Sequence, residues 1–391
     1  MEIKTNRLYF LDWLRVISIF LVFLHHVGMP FSGQSWLANY QEPSDTLLAF
    51  MIFFQQWRLS LLFLISGAGT YLAFSKRSWL QYFWERTKRL LIPLYFGIFF
   101  ISPPQTFYQF YDQYQSYWDL YPEVFINRPI LHLWFIKMLY AFSVVIIPFI
   151  LFLRAEKQNF FKDKISTLLK NPWAVFSLGL VFVLIMVIVK KLFPYNADAF
   201  LTNYSTSVPF FLYFTTGILL ASNAKSWWGL FERRQFFLSM AVASTIAFYT
   251  LYFNREYFAS LGISQEVLEV IWNSISGIMG WLVILSIISY SIKFLNFSNK
   301  WLKPLNEAIY PFYIIHQTIL TVLAFYIVQM DLYWPIKLFM VMIGTLIGSA
   351  GVYKLIIYPI KPLWFFFGMK SKTDKTFNKS SNKKEVSSEL V

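Results

Sequence analysis

Arg15 and His26 lie inside the first long apolar run of this chain, with ten residues between them. A guanidinium offers a rigid fork of donors to an anion, and an imidazole takes or gives a proton near neutral pH. Ionisable groups in a lipid-spanning helix are costly and mark function by default. At about 100° per residue, eleven steps return the second side chain to within roughly 20° of the first. Both then line one face, about 16 Å apart along the axis, so one long ligand can touch both. Asp12, three residues before Arg15, falls within pairing distance on that face. Arg15, Ser18, Val22 and His26 follow one helical stripe. His25 points about 80° away from Arg15 and is the weaker catalytic candidate. Taken singly, Arg15 can snorkel to the inner interface, and a histidine near the outer end can simply be hydrated. The shared face with Asp12 favours a site with catalytic roles for His26, Arg15 and Asp12.

Other polar residues stand at defined places in later apolar runs. Ser66 and Gly67, with Gly69, make a small-residue patch that serves either close helix packing or passage of a slim chain. Arg86, Lys88 and Arg89 either orient the protein or clamp the phosphates of a cytosolic cofactor, since arginine forks match phosphate oxygens. His132 and Trp134 fall near the outer face, with Lys137 deeper in the run. Glu307 opens the ninth run near its inner end, Pro311 interrupts it, and His316 and Gln317 lie further in. Such residues are either helix glue or substrate contacts; His132, Trp134, Lys137, Glu307 and His316 are the substrate-binding candidates. The chain has no cysteine, which excludes disulfides, thiolate metal sites and a cysteine nucleophile. It also lacks a phosphate-binding glycine loop, a histidine pair at zinc spacing and a G-x-S-x-G elbow, so no metal site is expected.

The elements that carry these residues follow from composition. Of 391 residues, 57% are hydrophobic and only 14% charged, against about 25% charged in soluble domains. The expected solvent is the bilayer. The apolar runs predict an all-α polytopic protein of about ten transmembrane helices, near 9–30, 46–74, 90–103, 129–153, 173–193, 207–222, 236–253, 267–291, 307–329 and 335–359. The second is long enough to tilt or break around Gln55, Gln56 and Arg58, and the third is short. The first run carries Arg15 and no small-residue cleavage site, so it is expected to remain as a span. With Met1 inside, 26 of the 34 lysines and arginines fall on the inner side and 5 on the outer. That asymmetry puts both termini in the cytoplasm, and it accounts for the net charge of +14 without nucleic acid.

The largest outer loop, 104–128, alternates Tyr108, Tyr111, Tyr114, Tyr117, Trp118 and Tyr121 with polar residues. It reads either as an interfacial aromatic belt or as a stacking platform for sugar rings. Residues 1–365 form the transmembrane domain, and 366–391 are expected to be a disordered basic cytoplasmic tail that can rest on anionic lipid.

Together these pieces resemble the acyltransferase 3 family of bacterial integral-membrane acyltransferases. The resemblance is carried by Leu11-Asp12, the Arg15-to-His26 spacing, Ile65-Ser66-Gly67, the Arg86–Arg89 pair and Leu133-Trp134-Phe135, and it covers all ten spans. HLWF and the Tyr313-to-Gln317 stretch are similar to a glucan-biosynthesis branch whose members are taken to add succinyl groups to periplasmic glucans. The resemblance implies a multi-pass protein of the bacterial inner membrane. It would move an acetyl or succinyl group from cytosolic acyl-CoA to a hydroxyl of an extracytoplasmic carbohydrate, with no permanently bound cofactor. Arg86 and Arg89, with Ser66 and Gly67, would hold the donor, Arg15 would orient its arm, and His26 would act as general base. Lys137 is a candidate cation for a succinyl carboxylate. The alternative from the residues alone is a transporter or flippase without covalent chemistry.

Overall fold

The computed structural model describes residues 7–34, 36–40, 42–74, 77–155, 159–194 and 203–369. The chain is helical throughout, with no strand among the described residues. The helices are α1 (Tyr9–Gly28), α2 (Asp45–Phe74), α3 (Trp79–Arg86), α4 (Ile92–Phe96), α5 (Pro103–Gln109), α6 (Tyr121–Asn127), α7 (Trp134–Val145), α8 (Ile147–Arg154) and α9 (Asn159–Lys170). They continue with α10 (Pro172–Leu192), α11 (Tyr204–Ser222), α12 (Ala224–Glu232), α13 (Arg234–Phe253), α14 (Arg255–Ser260), α15 (Gln265–Phe294), α16 (Leu302–Ile327), α17 (Trp334–Val352) and α18 (Leu363–Phe366). Among the described residues, 10 helical stretches are long and apolar enough to cross a membrane. The protein is a multi-pass, all-α membrane protein, as the periodicity predicts.

Three details differ from the expectation. The third span is not short: helical structure is continuous over Trp79–Gln109, 31 residues in length. Two wide π turns, Thr87–Leu91 and Gly97–Ile101, keep the chain helical past the charged Arg86-to-Arg89 segment that interrupts its hydropathy. The second span does not break: α2 is a single helix of 30 residues. Gln56 turns its amide back to the Ile52 carbonyl at 3.1 Å, so the polar cluster is absorbed without opening the backbone. At the C-terminal end, the boundary drawn between 365 and 366 falls inside α18, and Phe366 and Phe367 pack on Phe96 at ring distances of 5.0 and 5.4 Å. Residues 370–391, the rest of the expected tail, lie outside the described residues.

The chain divides into two compact units. The first comprises residues 1–25, 44–82 and 141–303. Its core is the contact of α2 with α11. A Cβ on Gly67 would fall 1.9 Å from the Phe214 carbonyl oxygen, and one on Gly217 would fall 1.9 Å from that of Leu64. Two backbones this close make Gly67 a packing residue, one of the two readings its small-residue patch allows. Helix ends are closed by polar groups: Asn171 caps α10 by accepting from the Trp173 and Ala174 amides, and Arg154 donates to the Phe74 carbonyl at the end of α2. Trp281 on α15 donates its indole N–H to the Val175 carbonyl at 3.1 Å and fills the space above Gly179.

The second unit comprises residues 26–43, 83–140 and 304–391. Leu133 sits where a side chain on Gly97 would be, so the second π turn packs directly on the start of α7. The Tyr310 hydroxyl on α16 donates to the Arg89 carbonyl at 3.1 Å. Gly368, at a φ of +62°, lies over the same carbonyl, where an added Cβ would be 2.7 Å away. The outer loop is largely helical, built from α5, α6 and two single turns. Phe107 gathers Tyr111, Tyr114 and Tyr117, while Tyr108 and Tyr111 pack on Phe325. Tyr114 donates to Glu123, which pushes its phenol up to about 12 and keeps it neutral. Trp118 is 72% exposed, the ring of this loop best disposed for stacking on a ligand.

The backbone contact at Gly67 gives a direct test. Gly67→Ala should cost at least about 1–3 kcal/mol by overpacking, read as a lowered melting temperature in lipid nanodiscs. Gly351→Ala, where nothing lies within 4 Å of the added Cβ, should leave stability unchanged or raise it by up to about 1 kcal/mol.

Candidate active site

Three of the four histidines meet in the second unit. His26, near the C-terminal end of α1, places Nδ1 3.1 Å from Nε2 of His316 on α16. The two rings are almost parallel, at 7°. His316 Nδ1 lies 2.8 Å from the Tyr313 carbonyl and 3.2 Å from that of Phe312. A carbonyl only accepts, so Nδ1 of His316 carries the proton and its Nε2 is an acceptor. It follows that His26 donates from Nδ1, and its basic lone pair is on Nε2. The helix geometry causes this: the backbone oxygens three and four residues before His316 are the nearest acceptors its ring can reach.

His132 stands edge-on to His316, with ring centres 5.6 Å apart. Its Nε2–H donates to the Ile314 carbonyl at 3.0 Å, which leaves Nδ1 to accept from the Gln105 amide at 3.4 Å. Gln105 also donates to the Thr318 hydroxyl at 2.7 Å, and Thr318 donates to the Ile101 carbonyl at 2.6 Å. Tyr313 donates its hydroxyl to the His132 carbonyl. His132, Gln105 and His316 are all buried. This network holds α16 against the second π turn and the start of α7. The protons of His132 and His316 are each assigned by a backbone acceptor, and that of His26 by His316. Among the described residues, no group of three histidine or carboxylate side chains is arranged to hold a metal ion.

The remaining candidates are placed as follows. In the first unit, Asp12 is shared: Arg7 Nε takes one carboxylate oxygen at 2.7 Å, and Arg15 Nη1 lies 3.5 Å from the other. The Arg15 guanidinium lies over Gly69, where a Cβ would be 3.2 Å from Nη2. Ser66 is half-buried on α2 beside the tightly packed Gly67. His25 is buried and sits within electrostatic reach of Arg58. In the second unit, Arg89 Nε pairs with Glu85 at 3.3 Å, and both Arg86 and Arg89 lie within electrostatic reach of the Tyr310 hydroxyl. Arg86 ends α3 and Arg89 lies within the first π turn, so they do not follow the i, i+3 geometry of an α-helix. Trp134 begins α7 half-buried, and Lys137 is buried one turn on. Glu307 is exposed, nine residues and about 13.5 Å of axial rise from His316.

Sequence reasoning did not find Arg7, Glu85, Gln105 or Thr318. Glu85 was accessible in principle, four residues before Arg89 on a helix. Gln105 and Thr318 carry no local signal of each other, because they are 213 residues apart along the chain.

A multi-pass helical protein with an imidazole pair set to move a proton is a membrane protein with a candidate for acid–base chemistry. The acyltransferase domain family matches residues 8–354, and the chain belongs to that family. Proteins named Glucans biosynthesis protein C from Escherichia coli SMS-3-5 / SECEC and from Escherichia coli O1:K1 / APEC are each 26% identical over 172 residues, 40% of this chain and 42% of theirs. The match therefore spans less than half the length of those relatives. No solved structure matches the chain.

The tautomer assignment is open to measurement. In nitrogen-15 spectra of histidine-labelled protein, His26 should show a protonated Nδ1 and an unprotonated Nε2. His316→Leu should mix the two forms, whereas His316→Gln, which keeps an acceptor at the same reach, should preserve the first.

Proposed function

We propose that this chain is an O-acyltransferase of the bacterial inner membrane that moves an acyl group from cytosolic acyl-CoA to a hydroxyl of an extracytoplasmic carbohydrate. Family membership supports the reaction class, and the relatives named for glucan biosynthesis support the carbohydrate acceptor. The excess of lysine and arginine in alternate connections supports cytoplasmic termini, hence a donor approaching from inside.

The observation that carries the reading is the hydrogen bond between His26 and His316. His26 Nε2 takes the proton of the acceptor hydroxyl as the oxygen attacks the thioester carbonyl. A C–O bond forms, the C–S bond breaks, and the proton passes from His26 to the leaving thiolate. His316 is a positioning residue: by accepting from Nδ1 it holds the ring and the tautomer through both transfers. Arg15, tethered by Asp12, orients the donor's arm. Arg86 and Arg89 hold its phosphates, a role in which phosphate oxygens replace Glu85 on the Arg89 fork. His132 and Gln105 support His316 from behind. Trp134 and the aromatic loop around Trp118 supply faces for a sugar.

Purified protein in nanodiscs, given labelled acyl-CoA and a glucan acceptor, should release CoA and label the acceptor; a transporter would do neither. His26→Ala, at normal expression, should lose about 10²–10⁴-fold in rate, and His25→Ala should lose less. Arg15→Lys should lose activity if the planar fork is needed. Equal turnover by His26→Ala and the parent would refute the base assignment.

A further inference from the structure

Arg58 is the one arginine among the described residues that is almost wholly enclosed, with 5% of its surface exposed, in the middle of α2. It belongs to the first unit, among Met51, Leu61 and Leu62 on the same helix, all of them buried. Its Nε and Nη1 have no hydrogen-bond partner. A guanidinium keeps its charge at any physiological pH. Enclosing that charge without an anion or an acceptor is among the costlier arrangements a membrane helix can adopt. Other arginines of the chain show how such cost is met: Arg7 and Arg15 share Asp12, Arg89 pairs with Glu85, and Arg154 binds the end of α2. Donors of one guanidinium left without acceptors are met by the oxygens of a carboxylate or phosphate.

We infer that Arg58 binds an anionic oxygen pair that arrives with the substrate. The charge that is uncompensated in the protein alone is then completed by the ligand. The chemical class is a carboxylate or a phosphate. An anion held here belongs to the donor, whose phosphates or acyl carboxylate carry negative charge, rather than to a neutral sugar. A dicarboxylic acyl group, which carries a free carboxylate, meets that description. The donor assignment rests on the proposed acyl transfer, whereas the existence of an anion site at Arg58 does not.

The test uses the whole protein in nanodiscs with Arg58→Met, which keeps a stem of similar volume, and Arg58→Lys, which keeps charge without the fork. Melting temperature is measured with succinate, with inorganic phosphate and with chloride at matched ionic strength. Turnover is measured in parallel with labelled succinyl-CoA and acetyl-CoA. Succinate or phosphate should raise the parent's melting temperature above the chloride control, and that rise should vanish in Arg58→Met. The ratio of succinyl to acetyl turnover should fall by about tenfold or more in Arg58→Met, and by less in Arg58→Lys. Arg58-dependent stabilisation by phosphate, with both donors losing turnover equally, would assign the anion to the phosphates common to both. Anions that stabilise parent and Arg58→Met alike, together with an unchanged donor ratio, would overturn the inference. If the parent turns over neither donor yet shows Arg58-dependent stabilisation by anions, the acyl-transfer reading fails and the anion site stands.

Discussion

The second unit is organised by where the protons of its histidines must be. The carbonyls of Phe312 and Tyr313 hold a proton on His316 Nδ1, and everything else about the cluster follows from that constraint. Because Nδ1 donates, Nε2 accepts. Because Nε2 accepts, His26 turns its Nδ1–H inward and has its basic nitrogen on the other side of the ring. In the hydrocarbon region a polar group has only protein to satisfy it, so a backbone carbonyl in a helix is a fixed reference that no water can replace. His132 is governed in the same way by the Ile314 carbonyl. The α16 segment 312–316 therefore acts as a template: it offers three carbonyls to two imidazoles and one hydroxyl to the chain before α7.

The same accounting explains the wide turns before α5. A π turn carries one more residue than an α turn and displaces the groups that follow it. Here one turn lies at Arg89, whose carbonyl receives the Tyr310 hydroxyl, and the other ends at Ile101, whose carbonyl receives Thr318. Both contacts join the third span to α16. The turns are where that span adjusts its backbone to meet the histidine-bearing helix, and Gly97 lets it approach the start of α7.

Much of this was legible in the sequence. Apolar period and length gave ten spans because hydrocarbon thickness fixes helix length. Arg15, His26 and His316 were conspicuous because ionisable residues in such runs are rare. The pairing of Asp12 with Arg15 was readable from spacing, though not the competing Arg7, which lies just before the helix. What escaped is what depends on distant segments meeting. His26 and His316 are 290 residues apart, and spacing within one helix says nothing of a partner on another. Around Gln55, Gln56 and Arg58 the second span is long enough to tilt or break, and periodicity alone does not choose between them. The helix keeps its hydrogen bonds and encloses the charge. At Gly67 the sequence allows close packing or passage of a slim chain, and the approach of two backbones there is the packing.

The partner of the proposed base is an imidazole rather than a carboxylate, and this has a chemical consequence. A carboxylate behind a histidine stabilises the imidazolium strongly, because the pair becomes an ion pair in a medium of low dielectric. A neutral imidazole gives a hydrogen bond and orientation. In the proposed acyl transfer the proton taken from the alcohol has a destination at once, since a thiolate forms as the acceptor oxygen bonds to carbon. The hydrogen bond to His316 keeps the His26 ring aimed through both transfers.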